Sequence, residues 1–133
     1  MVAPSMTLRQ PLFLVVCLLA GVFLILGSLF VAMPGIAASI YGFPSRDPAA
    51  MLYVRAIGFR DVALAAYLLG LAVTGQRKAL SVVLTGTTLI PVGDLLLLAS
   101  SGAGRPMHYL LHGASLLGFA ALALWSRQPG RAP

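Results

Sequence analysis

Four long runs of apolar residues divide the chain, and short polar segments separate them. The runs cover residues 11–33, 51–73, 80–99 and 107–126. At 1.5 Å per residue, each run is long enough as a helix to cross a hydrocarbon core of about 30 Å. The pattern predicts an all-α fold, an integral membrane four-helix bundle with antiparallel helices. We expect residues 1–133 to form a single transmembrane domain.

Polar and small residues mark where the helices begin and end. Asp47 followed by Pro48 predicts a helix start, because the Asp side chain accepts free backbone N–H groups and a first-turn Pro loses no hydrogen bond. Gly75 predicts the end of the same helix. The segment between the first two runs favours a short helix in the membrane interface. Its apolar and aromatic residues include Ile36, Ile40, Tyr41 and Phe43.

A cleaved signal peptide is the alternative interpretation of the first run. Such a peptide has an apolar region of about 7 to 15 residues followed by a small-residue cleavage site. The uncharged run of residues 11–33 is longer, and only Arg9 is basic before it. The length of the run therefore favours a retained transmembrane helix.

Composition excludes a soluble enzyme. Only 9% of the 133 residues are charged and 59% are hydrophobic, whereas soluble domains carry about a quarter charged residues. The net charge of +6 comes from basic residues at the ends of the apolar runs, so topology explains it and we expect no nucleic-acid partner.

The loop charges predict an orientation in the cytoplasmic (inner) membrane. Five basic residues lie on the side of both termini and two on the opposite side, which predicts N- and C-termini inside. The five are Arg9, Arg77, Lys78, Arg127 and Arg131, and the two are Arg46 and Arg105.

Six ionisable residues lie within the runs, all toward one side of the membrane if the helices alternate in direction. They are Arg55, Arg60, Asp61, Asp94, His108 and His112. Ionisable groups in a bilayer are costly and usually mark a site, a proton relay or a water-filled cavity. The pattern predicts a polar pocket in the outer-leaflet half of the bundle.

The candidate site residues have different expected roles. Arg55 and Arg60 are candidate ligand-binding groups, although Arg55 is shallow enough to extend to the headgroups instead. Asp61, Asp94 and His112 are candidate proton carriers. Because adjacent side chains on a helix diverge, we expect Asp94 to pair with Arg60, and Arg55 or a histidine to pair with Asp61.

Pro91 lies one turn before Asp94 and interrupts the third helix, because it cannot donate to the carbonyl of Thr87. Two interpretations stay open, a wet pocket beside Asp94 or a plain packing kink with Asp94 bonded to Arg60.

His108 and His112 have metal-ligand spacing, but two histidines alone do not predict a metal site. Residue 109 is Tyr, where a zinc-protease helix needs Glu. We expect His108 either to cap the start of the fourth helix or to meet the lipid headgroups. The sequence has no phosphate-binding loop or nucleophile elbow, so we expect no cofactor. Ala114 and Gly118 predict a helix-packing seam.

Several of these features occur together in a known family. They are the segments LGSLFVAMPGIAASIYGFP and VRAIGFRDVALAAYLLG, the Asp near the end of the third run, and the His followed by Gly in the fourth. In these features the chain resembles a family of small four-helix membrane proteins named domain of unknown function 4267, and the resemblance runs from about Leu26 to the fourth run. The resemblance implies the bundle and the candidate site, and it implies no activity.

Two functions fit these observations best. The first is binding of a lipid-like amphiphile from the outer leaflet, with isomerisation or hydrolysis as the reaction. The second is an accessory or structural subunit in which the Arg and Asp residues only lock helix packing. Transport is a third and is less favoured, because the polar residues stop midway across the membrane and no inverted repeat is apparent, although a homodimer could complete a path. The expected partners are the bilayer, the amphiphile, and a second copy or another membrane protein.

Overall fold

The structure is a computed structural model, and it describes residues 11–128. This range contains six helices and no strand, which confirms the all-α prediction. The helices are α1 (Pro11–Ala32), α2 (Pro34–Tyr41), α3 (Pro48–Val73), α4 (Arg77–Thr87), α5 (Leu89–Ser101) and α6 (Pro106–Arg127). Arg9 and Arg131, used in the orientation prediction, lie outside the described residues.

Four segments are long and apolar enough to cross a membrane, as the hydrophobic runs predict. They are α1, α3, the α4–α5 segment Arg77–Ser101, and α6. Each begins or ends within a few residues of the predicted run. The chain is therefore built as a multi-pass membrane protein.

The predicted boundary signals at both ends of α3 are confirmed. The Asp47 carboxylate accepts the backbone N–H of Ala50 at 3.0 Å, and Pro48 is the first helical residue. At the other end, Gly75 takes a φ of +69°, which glycine adopts without a steric penalty.

The short helix predicted between the first two runs is α2. Pro34 begins it immediately after α1, and Gly42 ends it with a φ of +109° and an N–H bonded to the Ala38 carbonyl. Ile36 and Ile40 are exposed as expected for an interfacial helix, but Tyr41 turns toward the bundle.

The third run is interrupted, and the break lies at Thr88 between α4 and α5. Pro91, which has no N–H, leaves the Thr87 carbonyl without its normal helical donor. The Thr88 hydroxyl bonds the Thr85 carbonyl at 2.6 Å beside the break. The proline thus interrupts the helix one turn earlier in the chain, at the residues it deprives of a hydrogen bond.

α1 and α3 approach each other closely where they cross at Gly27 and Gly58. A Cβ on Gly58 would be 2.6 Å from the Gly27 carbonyl oxygen, so only hydrogen atoms fit at this crossing. The predicted seam at Ala114 and Gly118 is wrong. Both residues are exposed, and a Cβ on Gly118 would meet nothing within 4 Å.

The hydrophobic core occupies one half of the bundle. It joins the first half of α1, the last half of α3, the start of α4 and the last half of α6. Its largest fully buried members include Val16, Leu68, Leu80 and Leu84. The second half of α1, the first half of α3 and the first half of α6 therefore lie outside this core, and the polar residues are found there.

Candidate functional site

Three residues from three helices meet in the half of the bundle outside the core. Asp94 lies on α5, His112 on α6, and Tyr41 is the last residue of α2. His112 Nδ1 lies 3.1 Å from Asp94 Oδ2, and the Tyr41 hydroxyl donates to Asp94 Oδ1. His112 Nε2 lies 3.1 Å from the Tyr41 backbone oxygen. We call Tyr41, Asp94 and His112 the polar triad.

The hydrogen bonds of the polar triad determine where its protons lie. A carbonyl oxygen only accepts, so His112 Nε2 must carry a hydrogen. One further proton lies between His112 Nδ1 and Asp94 Oδ2, on either atom. Both arrangements, an ion pair and a neutral pair, have zero net charge, which suits a buried position. Asp94 and His112 are 8% and 5% exposed.

Tyr41 contributes its ring as well as its polar groups. Its ring stands edge-on to His112 with centroids 4.9 Å apart and to Phe30 with centroids 5.9 Å apart. Burial raises the pKa of the Tyr41 hydroxyl well above its ordinary value, and the hydrogen bond to Asp94 adds to this rise. Tyr41 therefore stays a neutral donor and fastens α2 to α5 and α6.

A cavity of about 170 Å³ lies beside the polar triad. Asp61 and Ile57 of α3 contribute to its wall, together with residues of α1, α2, α5 and α6. Most of the other lining residues are apolar, including Phe23, Leu26, Phe30, Ile90, Leu111 and Phe119. An engineered cavity of about 150 Å³ holds benzene, so this volume fits a small headgroup with a few carbon atoms.

The carboxyl group of Asp61 faces this cavity, near the charge of Arg60 but not in an ion pair with it. Within residues 11–128 the His112–Asp94 contact is the one ion pair, so the predicted pairing of Asp61 with Arg55 or a histidine does not form. The Asp61 side chain is half-buried near the middle of α3. Asp61 thus lies beside the polar triad, and its carboxyl group can still accept hydrogen bonds.

The predicted pair of Arg60 with Asp94 is also wrong. Both oxygens of Asp94 are engaged, one by Tyr41 and one by His112, and Arg60 is exposed on the outside of α3. A neutral hydroxyl and an imidazole satisfy the carboxylate in place of the guanidinium. The interpretation of Pro91 as a packing kink with an Arg60–Asp94 bond is excluded with it.

Neither arginine assigned to ligand binding lines the cavity. Arg55 Nη1 donates to the Val31 carbonyl at 2.6 Å, near the end of α1. That carbonyl is free because the helix ends at Ala32. Arg55 therefore holds the last turn of α1 against α3, and it does not extend away from the protein.

His108 has the capping role that the sequence predicts. Its Nδ1 accepts the backbone N–H of Arg105 at 3.2 Å, at the start of α6. Within residues 11–128 no group of three or more His, Cys, Asp or Glu side chains has an arrangement that could hold a metal ion.

Tyr41 is the site residue that sequence reasoning missed. Its position among apolar residues between two spans indicates an interfacial aromatic residue. Its hydroxyl is neutral, so a search for charged groups within the spans does not identify it. The available signal is Gly42, because a glycine there predicts that the short helix ends directly after Tyr41 and that the chain changes direction at this residue.

Comparison with known proteins places the chain in a family. The family described as Domain of unknown function (DUF4267) matches residues 20–126, a range that includes the polar triad and Asp61. No curated protein and no solved structure matches the chain. Because the match covers most of the 133 residues, the chain belongs to the DUF4267 family, as its sequence motifs predict.

Proposed function

We propose that this protein binds a lipid-like amphiphile, with the polar head beside Asp61 and the polar triad and the tail directed into the bilayer. The observation that carries the proposal is Asp61, a half-buried carboxyl group that forms no ion pair within residues 11–128 and lies on the wall of a mainly apolar cavity. Ligand sites typically combine an apolar lining with a few polar groups that orient the ligand.

The proposed head carries a hydrogen-bond donor, and an amino group fits best. A carboxylate accepts hydrogen bonds, and a bond to a charged group contributes about 1.5–3 kcal/mol. The anionic or carbonyl head expected for Arg55 and Arg60 is not favoured, because neither residue lines the cavity. The small cavity volume matches the head and the first carbons of the chain, with the rest of the tail among the lipids.

We place this site in the outer-leaflet half of an antiparallel bundle with both termini in the cytoplasm. The support is the charge distribution of the loops described in residues 11–128, where Arg77, Lys78 and Arg127 lie at the end opposite the cavity. An amphiphile would then enter from the outer leaflet.

Isomerisation is the second candidate function, and the arrangement of protons favours it. An isomerisation moves a proton within one molecule and requires a base and an acid in reach of it. Asp61 supplies a free carboxyl group, and His112 and Asp94 share a proton nearby. Hydrolysis needs a positioned water or nucleophile in addition, so isomerisation has the simpler requirements.

A purely structural role for the Arg and Asp cluster has less support. Such a lock requires paired charges and a filled interior. The Arg60–Asp94 pair is not formed, and a cavity lies beside Asp61.

Native mass spectrometry of the full chain in lipid nanodiscs tests the proposal. We would compare dodecylamine, dodecanol and dodecanoate, which share a tail and differ in the head. We expect dodecylamine to bind the wild type at least 10-fold tighter than dodecanoate, and Asp61→Asn to weaken it about 10- to 100-fold, which corresponds to about 1.5–3 kcal/mol.

Asp47→Asn is the matched control, because it makes the same change on α3 at the helix start, away from the cavity. This variant should bind dodecylamine as the wild type does. Equal binding of the three probes, or equal effects of the two Asp substitutions, would contradict the proposed site.

A further inference from the structure

Arg60 lies near the midpoint of a membrane-spanning helix and points outward. It is twelve residues after Pro48 and thirteen before Val73, which is about 18–20 Å along the axis from either end. Its side chain is exposed, and an arginine is too short to extend over that distance to the headgroups. Within residues 11–128 it forms no ion pair. A charge in this position is costly unless a partner or water satisfies it, and an anion is the partner that a guanidinium binds most strongly.

The chain itself has no suitable anion. It contains three acidic residues in total, Asp47, Asp61 and Asp94. Asp47 caps the start of α3, and Asp94 is bonded by the rest of the polar triad. Asp61 follows Arg60 directly and lies near enough for the two charges to interact, but the side chains point about 100° apart and form no ion pair, and Asp61 faces the cavity. A second copy brings the same three residues, and the exposed one, Asp47, lies at the start of α3 and not near the middle of a span, where Arg60 lies.

The surface around Arg60 suits the close approach of a helix. At 100° per residue, Ala56, Arg60, Ala63, Tyr67 and Gly70 share one face of α3, which we call the Arg60 face. Its small residues lie on both sides of Arg60 along the helix. A Cβ at Gly70 would meet nothing within 4 Å, so this space is open. In membranes, small residues allow neighbouring helices to pack closely.

We propose that the Arg60 face docks a transmembrane helix of a different protein, one that carries a carboxylate near its midpoint. The carboxylate pairs with the Arg60 guanidinium, and the small residues of the face accept the backbone of the partner helix. This surface is separate from the cavity, so the proposal does not depend on amphiphile binding.

A synthetic helix of defined chemistry tests this docking. The probe is a leucine-rich transmembrane peptide with lysine ends, one central Glu and a dansyl group, in phosphatidylcholine vesicles with the full chain. Trp125, the one tryptophan of the chain, serves as the energy-transfer donor. Otherwise identical peptides with a central Gln or Lys are the comparisons.

We expect the Glu peptide to bind the wild type at least 10-fold tighter than the Gln peptide. Arg60→Gln should remove this preference, and Arg60→Glu should reverse it in favour of the Lys peptide. Arg55→Gln is the matched control, because Arg55 is bonded to Val31 and lies off the Arg60 face; it should keep the preference. Circular dichroism checks that each variant is folded, and the charge reversal provides a gain of binding that misfolding does not produce.

Three results would overturn the proposal. The first is equal binding of the Glu and Gln peptides to the wild type. The second is dimerisation without peptide, measured by single-molecule photobleaching, that Arg60→Gln abolishes, since a second copy would then cover the face. The third is loss of the Glu preference when phosphatidylglycerol is added, because a lipid phosphate would then be the partner of Arg60.

Discussion

The crossing of α1 and α3 at Gly27 and Gly58 provides a sharp test of the packing. In Gly58→Ala the new Cβ would lie 2.6 Å from the Gly27 carbonyl oxygen and 2.8 Å from Phe30 Cβ. Ordinary contact begins at 3.4 Å, so the helices must separate by about 0.8 Å. The obstructing oxygen belongs to a helix backbone and cannot move by itself.

The expected destabilisation follows from two opposing effects. Overpacking typically costs about 1–3 kcal/mol, while replacing Gly with Ala inside a helix gains at most about 1 kcal/mol. We therefore expect Gly58→Ala to lower the free energy of unfolding by about 1–2 kcal/mol. Gly21→Ala on α1 is the matched control, because a Cβ there meets nothing within 4 Å. It should be neutral or slightly stabilising.

Reversible unfolding in mixed dodecylmaltoside and dodecyl sulfate micelles, followed by circular dichroism, measures both variants. Gly27→Ala should resemble Gly58→Ala, and the double variant should lose less stability than the sum of the two, because one separation of the helices relieves both contacts. Equal midpoints for Gly58→Ala and Gly21→Ala would refute this account of the crossing.

Three further changes probe the site in the same unfolding assay. Asp94→Ala should destabilise the fold by about 3–5 kcal/mol, because it removes the buried carboxyl group that both Tyr41 and His112 contact. Adding His112→Asn should then cost less than it does in the wild type, and strict additivity of the two losses would contradict the coupling. Tyr41→Phe keeps the ring but removes the donor to Asp94, so we expect a loss of about 1–3 kcal/mol; an unchanged midpoint would contradict this hydrogen bond. Gly42→Ala places a side chain at a φ of +109° and 2.8 Å from a Leu98 methyl group, so hydrogen exchange of the α2 amides should accelerate at least 10-fold. Gly35→Ala is the control, because a Cβ there meets no atom within 4 Å, and it should leave the exchange unchanged.

Hydropathy and end signals were sufficient to predict the helices. The uncharged runs locate the spans, and Asp47 with Pro48 locates the start of α3 because capping depends on adjacent residues only. The position of a glycine contact between helices could not be predicted in this way. Gly27 and Gly58 meet through tertiary packing of α1 on α3, and the periodicity of either helix alone carries no information about it.

The location of the site could be predicted from the sequence, but the hydrogen-bond and ion-pair partners of its residues could be predicted only in part. Counting residues from the ends of the spans places Asp94 and His112 at similar depth, and the structure brings them together. The expected Arg60–Asp94 pair failed because charge matching disregards the direction of Arg60 and the neutral donor of Tyr41. A carboxylate is satisfied by any well-placed donor, and the identity of that donor depends on how α2 folds back.

Photolabelling tests the central claim, that the cavity beside Asp61 is a binding site for an amphiphile. The label is an alkylamine with a diazirine near its head, and mass spectrometry locates the labelled residues in wild type and Asp61→Asn. We predict labelling of the cavity residues Ile57 and Leu111 that falls at least 10-fold in Asp61→Asn. Labelling confined to lipid-facing residues such as Leu18 and Val82, or labelling of the cavity that is unchanged in the variant, would contradict the claim.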